Sequence, residues 1–343
     1  RRWTTATGKS RPTLSQQTPP CGSMSGFLTP YRAAGFVTDS TPAVVHRQGS
    51  QTFVVTSIGR SYQIYNCANL RMRFVSPQLP GRIRAMELHR DKAFVAIGGE
   101  VHVVQRAEVL GVLRGHARPV RHMVWLGELL VSVCAGRRLN AWRVLGKDAE
   151  LDEPALTLQL PAELTPSVLL HPATYLNKLL IACRSGALEL WNVRSGKRVY
   201  RFEGWGSAVS ALEQATAVDV VAIGLESGQI FVHNLREDAT LLTFTMEGGA
   251  IRTLSFRTDG VPILASASNR GHVALWQLDG AKLVSQIEYA HDGEVRTARF
   301  LAGEPVLLTT GTDNSLKMWL FDDPSGGARL LRSRSGHASA PTR

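Results

Sequence analysis

Cysteine is scarce in this chain of 343 residues: only Cys21, Cys67, Cys134 and Cys183 occur. No two have the C-x-x-C spacing of a metal or redox site. The last three stand in or beside apolar runs, so they read as buried free thiols of a reducing compartment. No apolar run reaches the ~18 residues that a membrane span needs. Aromatics are few, at 7%, and acidic residues are outnumbered, 28 against 39 lysines and arginines, for a net charge of +11. That imbalance suits an acidic partner such as nucleic acid or an acidic protein tail, and it equally suits plain solubility. Catalytic signatures are lacking as well. There is no H-E-x-x-H, no G-x-S-x-G and no G-x-x-x-x-G-K-[ST], and the ten histidines are scattered along the chain. The sequence therefore predicts no enzyme, no cofactor, no metal site, no small-molecule substrate and no membrane partner.

What the chain has is glycine, 31 residues of it, spaced between short apolar runs. Seven pentads of alternating character recur: Ser61–Tyr65, Glu100–Val104, Arg138–Trp142, Ala187–Trp191, Gln229–His233, His272–Trp276 and Ser315–Trp319. Their last residues are separated by 39, 38, 49, 42, 43 and 43 positions. This is the ~40–45-residue period of a WD-repeat blade, a four-stranded antiparallel sheet in a ring around a channel. Tyr65, Trp142, Trp191, Trp276 and Trp319 are the expected blade anchors, and Val104 and His233 are weaker occupants of the same slot. Period-two alternation assigns one face of each pentad to a neighbouring blade.

An apolar strand that ends in a Gly, Ser or Asn turn precedes each pentad, as a tight hairpin requires. Inner strands are expected at Ile83–His89, Val120–Leu126, Val209–Gln214, Ile251–Arg257 and Val295–Leu301, and outer strands follow six of the pentads. The expected fold is all-β, a seven-bladed WD-repeat β-propeller. In the seventh repeat His291, Thr309, Asp313 and Trp319 have the spacing of a WD-repeat hydrogen-bonded tetrad. The third repeat keeps His116, Ser132 and Trp142 but has Gly136 in place of the aspartate.

Residues 1–26 read as a disordered basic segment, 27–332 as the propeller, and 333–343 as a linker or the start of a second propeller. Phe27–Pro42 is apolar and aromatic; it reads as a strand that closes the ring or, alternatively, as a docking arm. Basic positions crowd the first three repeats: Arg71, Arg73, Arg82, Arg84, Arg90, Arg114, Arg118, Arg121, Arg137 and Arg138. Of these, Arg71, Arg73, Arg82 and Arg84 are the candidate RNA or partner surface. Aromatics do not interleave with them as a single-strand stacking platform requires.

The elements PYRAAGFV, SIGRSYQIYNC and FVSPQLPGRIRA, within Phe27–Met86, resemble the start of the tandem-propeller WD-repeat subunit of the UTP-B complex. Gly327–His337 is similar to that family's junction into a second propeller. The resemblance covers Phe27 to the C-terminus. It implies a nuclear, nucleolar, non-catalytic scaffold of the small-subunit processome that supports pre-rRNA processing and 18S rRNA maturation. The implied partners are other UTP-B WD-repeat subunits and, directly or indirectly, pre-rRNA and the snoRNP assembly. The family's second propeller and C-terminal helical domain have no counterpart in these residues, so the resemblance is to that family's N-terminal propeller only. The alternative reading is a generic WD-repeat adaptor, such as a substrate receptor or a reader of peptide tails. A phosphoinositide-binding propeller would carry an F-R-R-G motif, which does not occur.

Overall fold

The computed structural model describes residues 35–145, 153–322 and 327–337. All regular elements among them are strands, arranged as seven four-stranded antiparallel sheets, each built from four consecutive strands. The chain is a seven-bladed β-propeller. The inner strands, in order, are Val44–Gln48, Ile83–His89, Val120–Leu126, Pro166–Leu170, Val209–Gln214, Ile251–Phe256 and Val295–Phe300. The repeated pentads form the third strand of each blade.

Seven hydrophobic clusters lie in the ring, one at each junction between neighbouring blades. The fourth blade shows how one strand serves two of them. Leu179 and Ile181 pack towards the third blade, and the intervening Leu180 and Ala182 pack towards the fifth. Successive side chains of a strand point to opposite faces, so a strand buried on both faces has a continuous apolar run. The pentad strand is divided in the same way: Ala187 and Trp191 meet the third blade as expected of one face, and Leu188 and Leu190 meet the fifth.

The junction between the seventh and first blades closes the ring. Its cluster joins Val54 and Tyr65 of the first blade to Leu308, Leu316 and Met318 of the seventh. Among the described residues no swapped strand is involved: the outer strand of the seventh blade is Arg329–Ser335, and the described part of the arm, 35–42, forms no strand. Of the expected closing strand over Phe27–Pro42, the described part, 35–42, meets the seventh blade through a clasp, and the portion 27–34 lies outside the described residues. The outer strand also runs past the expected propeller limit at Arg332. Residues 1–26 lie outside the description.

Asn314 makes the clasp. Its Oδ1 accepts the amides of Val37 and Thr38 at 2.7 and 3.1 Å. Its Nδ2 donates to the carbonyls of Gly35 and His337 at 2.8 and 2.9 Å. All four bonds of the side-chain amide are made, and three of them join segments about 280 residues apart. Asn314 sits at a φ of +56°, in the left-handed region that asparagine tolerates better than most residues. Around it, Thr56 Oγ1 donates to the carbonyl of Val37 at 2.5 Å, and the amide of Ala43 donates to Thr297 Oγ1 at 2.8 Å. The Arg334 guanidinium lies 5.3 Å from the centre of the Tyr65 ring.

Replacing Asn314 with alanine removes the acceptor of two buried amides. The expected loss is about 2–4 kcal/mol, seen as a lower midpoint in urea unfolding. An unchanged midpoint would mean that the ring is held without the clasp.

Candidate functional site

The seventh blade contains a connected polar chain in an apolar wall. His291 Nε2 lies 2.7 Å from Thr309 Oγ1, which also accepts the Trp319 indole N–H at 2.9 Å. On the other side of the ring, His291 Nδ1 is 3.0 Å from Asp313 Oδ1, and the Ser315 hydroxyl donates to the same oxygen at 2.8 Å. Burial alone would raise the Asp313 carboxyl. The hydrogen bond and charge of His291, with help from Ser315 and the Asp292 amide, outweigh it and hold the group at about 2. The arrangement fixes turns and strands in place, and the Thr309 hydroxyl and the His291 ring at its centre are fully buried.

Other blades keep fragments of this chain. In the third, Ser132 Oγ bridges His116 Nε2 and the Trp142 indole, both at 2.8 Å. With Gly136 in the aspartate position, His116 Nδ1 is left buried without a partner. Burial, aided by the Arg138 charge, pushes His116 down to about 4, so the ring is neutral near pH 7. Trp276 keeps only its bond to Ser266, at 2.8 Å. Trp191 donates instead to the buried Glu189 at 2.9 Å, and Arg198 pairs with the other carboxylate oxygen at 3.1 Å. Tyr65 donates to Gln63. All five anchors are buried.

The four arginines of the candidate RNA or partner surface are all exposed, but they do not share one place. Arg71 and Arg73 lie on the outer strand of the first blade, Arg71–Val75, at the circumference. Arg82 lies in the connection to the second blade, with Nη2 3.3 Å from Ser40 Oγ. Arg84 is on the inner strand of the second blade and borders the central channel, a cavity of about 610 Å³. The single surface expected from their closeness in sequence is therefore divided among the circumference, one face and the channel.

The channel reveals a pattern that motif reading missed. In blades two to seven the strand register slips at the second residue of the inner strand: Arg84, Arg121, Ser167, Ser210, Arg252 and Arg296 are left unpaired in the ladder. A β-bulge of this kind bends the strand and re-aims the side chain. Four of the six are arginines. The recurring pairs Ile83-Arg84, Val120-Arg121, Ile251-Arg252 and Val295-Arg296 were the available sequence signal. Two of these charges are answered: Arg252 pairs with Glu294 at 2.8 Å, and Arg296 with the same residue at 2.9 Å.

Deeper in the channel Arg299 pairs with Glu213. Nearby, burial pushes the Glu87 carboxyl up to about 7 despite the opposing Arg299 charge. Burial, with the charges of Arg121 and Arg184, pushes His122 down to about 4 despite its hydrogen bond to the Pro166 carbonyl. The channel wall is thus charged, but among the described residues no group of three or more His, Cys, Asp and Glu is placed to hold a metal ion.

Comparing single substitutions in two blades tests the tetrad geometry. Thr309→Val strands both His291 Nε2 and the Trp319 indole and is expected to cost about 2–5 kcal/mol, whereas Ser266→Ala strands only the Trp276 indole and is expected to cost about 1–3 kcal/mol. Thermal melts of the two variants should separate in that order; equal melts would contradict it.

Comparison with known proteins agrees with this architecture. The family model "WDR36/Utp21 first beta-propeller" matches residues 54–322. Human WD repeat-containing protein 36 is 38% identical over 320 residues, 92% of this chain and 35% of that protein. The Saccharomyces cerevisiae U3 small nucleolar RNA-associated protein 21 is 31% identical over 342 residues, 94% of this chain and 36% of its own length. This chain therefore spans about a third of the curated relatives it matches. A chain from the crystal structure of a mitotic checkpoint complex superposes with a TM-score of 0.72 over 94% of this chain and 98% of its own, at 16% identity, a likeness of fold alone. The matched family model and the identities to full-length relatives place this chain in the WDR36/Utp21 first beta-propeller family.

Proposed function

We propose that this propeller is a non-catalytic scaffold of ribosome biogenesis, acting as a UTP-B component of the small-subunit processome in pre-rRNA processing and 18S rRNA maturation. The observation that carries the reading is its identity to relatives whose names record association with U3 small nucleolar RNA. The rigid ring suits the role. Seven buried junctions hold the blades, leaving two faces and a circumference of loops and outer strands for partners. Its partners are other WD-repeat subunits of that complex, with pre-rRNA and the snoRNP reached directly or through them, and its place is the nucleolus. Because Arg71 and Arg73 lie apart from Arg82 and Arg84, the reading does not treat the four as one RNA site.

Affinity purification of the tagged chain from nuclear extract tests this. Co-recovery of U3 snoRNA, precursor rRNA and other WD-repeat subunits is expected. Recovery of ubiquitin-ligase components or chromatin without U3 would overturn the scaffold reading in favour of a general adaptor.

A further inference from the structure

One sector of the face that carries the blade-to-blade connections has positive charge without an answering carboxylate. A hollow of about 350 Å³ lies over the third and fourth blades and reaches the mouth of the channel. Arg121, Arg137 and Arg184 line it, and Arg118 and Arg84 stand beside it. Among the described residues none of these five is within ion-pairing distance of an acid; the one carboxylate that lines the hollow, Glu226, stands at the far wall, where Arg252 pairs with it and with Glu294. Three local features produce the sector. The bulge in the inner strand turns Arg121 out of the ladder. The turns between second and third strands bring up Arg137 and Arg184. Beside the hollow, Gly136 stands where a WD-repeat aspartate would, so no carboxylate meets the Arg118 stem there: a Cβ on Gly136 would lie 3.2 Å from Arg118 Cγ. Arg137 already donates to the Ala162 carbonyl at 3.2 Å, yet its Nε is buried without an acceptor.

We propose that this hollow is a docking site for an acidic peptide segment of a protein partner, with Asp or Glu side chains seated between Arg121, Arg137 and Arg184. Arginine is suited to this, since its planar fork takes a carboxylate through two parallel N–H donors. The alternative polyanion, single-stranded RNA, fits less well. The hollow contains no Phe, Tyr or Trp on which a base could stack, and its volume takes a few side chains rather than successive nucleotides. The site does not depend on the ribosomal reading: it stands on the arginine geometry alone.

The test is fluorescence anisotropy of the 343-residue chain with a labelled peptide of Asp, Glu and Ser. Saturable binding is expected, weakened at least roughly tenfold by the double variant Arg121→Glu, Arg184→Glu and unchanged by Arg71→Glu, Arg73→Glu on the circumference. The milder pair Arg121→Gln, Arg184→Gln repeats the measurement should charge reversal disturb the fold. An absence of saturable binding would overturn the proposal. So would equal weakening by the circumference variant, or displacement of the peptide by an oligouridine of similar charge at lower concentration.

Discussion

Each blade of this protein has two apolar faces and can cover neither by itself. Leu179 and Leu180, adjacent in one strand, belong to different junctions, and the same division recurs in Val54 and Val55 and in Leu307 and Leu308. A four-stranded sheet of this kind is stable only between two others, and a row of such sheets has bare ends unless it closes. Closure is therefore the constraint from which the rest follows. The clasp at Asn314, the contact of Arg334 with Tyr65 and the shared cluster of the first and seventh blades all serve the single junction that chain continuity does not provide.

Closure also shapes the surfaces. Seven inner strands surround the channel, and in six of them one residue leaves the ladder with the blade's own second strand. Where that residue is serine, its hydroxyl donates to a neighbouring carbonyl, as Ser167 does to Val209 at 2.6 Å. Where it is arginine, a charge is delivered to the mouth. The divergence of the polar tetrads acts in the same direction. The seventh blade keeps a carboxylate at Asp313, while the third has Gly136, and positive charge is unanswered around the third blade.

Much of this was legible in sequence, for physical reasons. Strands buried on both faces leave continuous apolar runs, and the turns between them demand Gly, Asn or Ser, so the second and third strands of every blade were readable. Three strands were not. Val44–Gln48 is short and half polar, Pro166–Leu170 begins with a proline that cannot donate to a ladder, and the outermost strand Arg329–Ser335 is rich in arginine and largely exposed. The 49-residue step between the third and fourth repeats hides added length on either side of blade three's outer strand, Leu156–Gln159. The tetrad was readable because its members keep a fixed spacing within one repeat. The clasp was not, because Asn314 looks like any hairpin-turn residue until its partners arrive from the other end of the chain. The placement of the basic residues was not legible, because a blade separates its outer strand, with Arg71 and Arg73, from the next inner strand, with Arg84, by its full width.

Hydrogen–deuterium exchange of the second-strand amides in all seven blades, followed under native conditions, tests closure most directly. Cooperative closure predicts that these amides exchange together, at one rate set by global unfolding, with the first and seventh blades as slow as the fourth. Earlier exchange in the first and seventh blades, with the middle of the chain still protected, would contradict it.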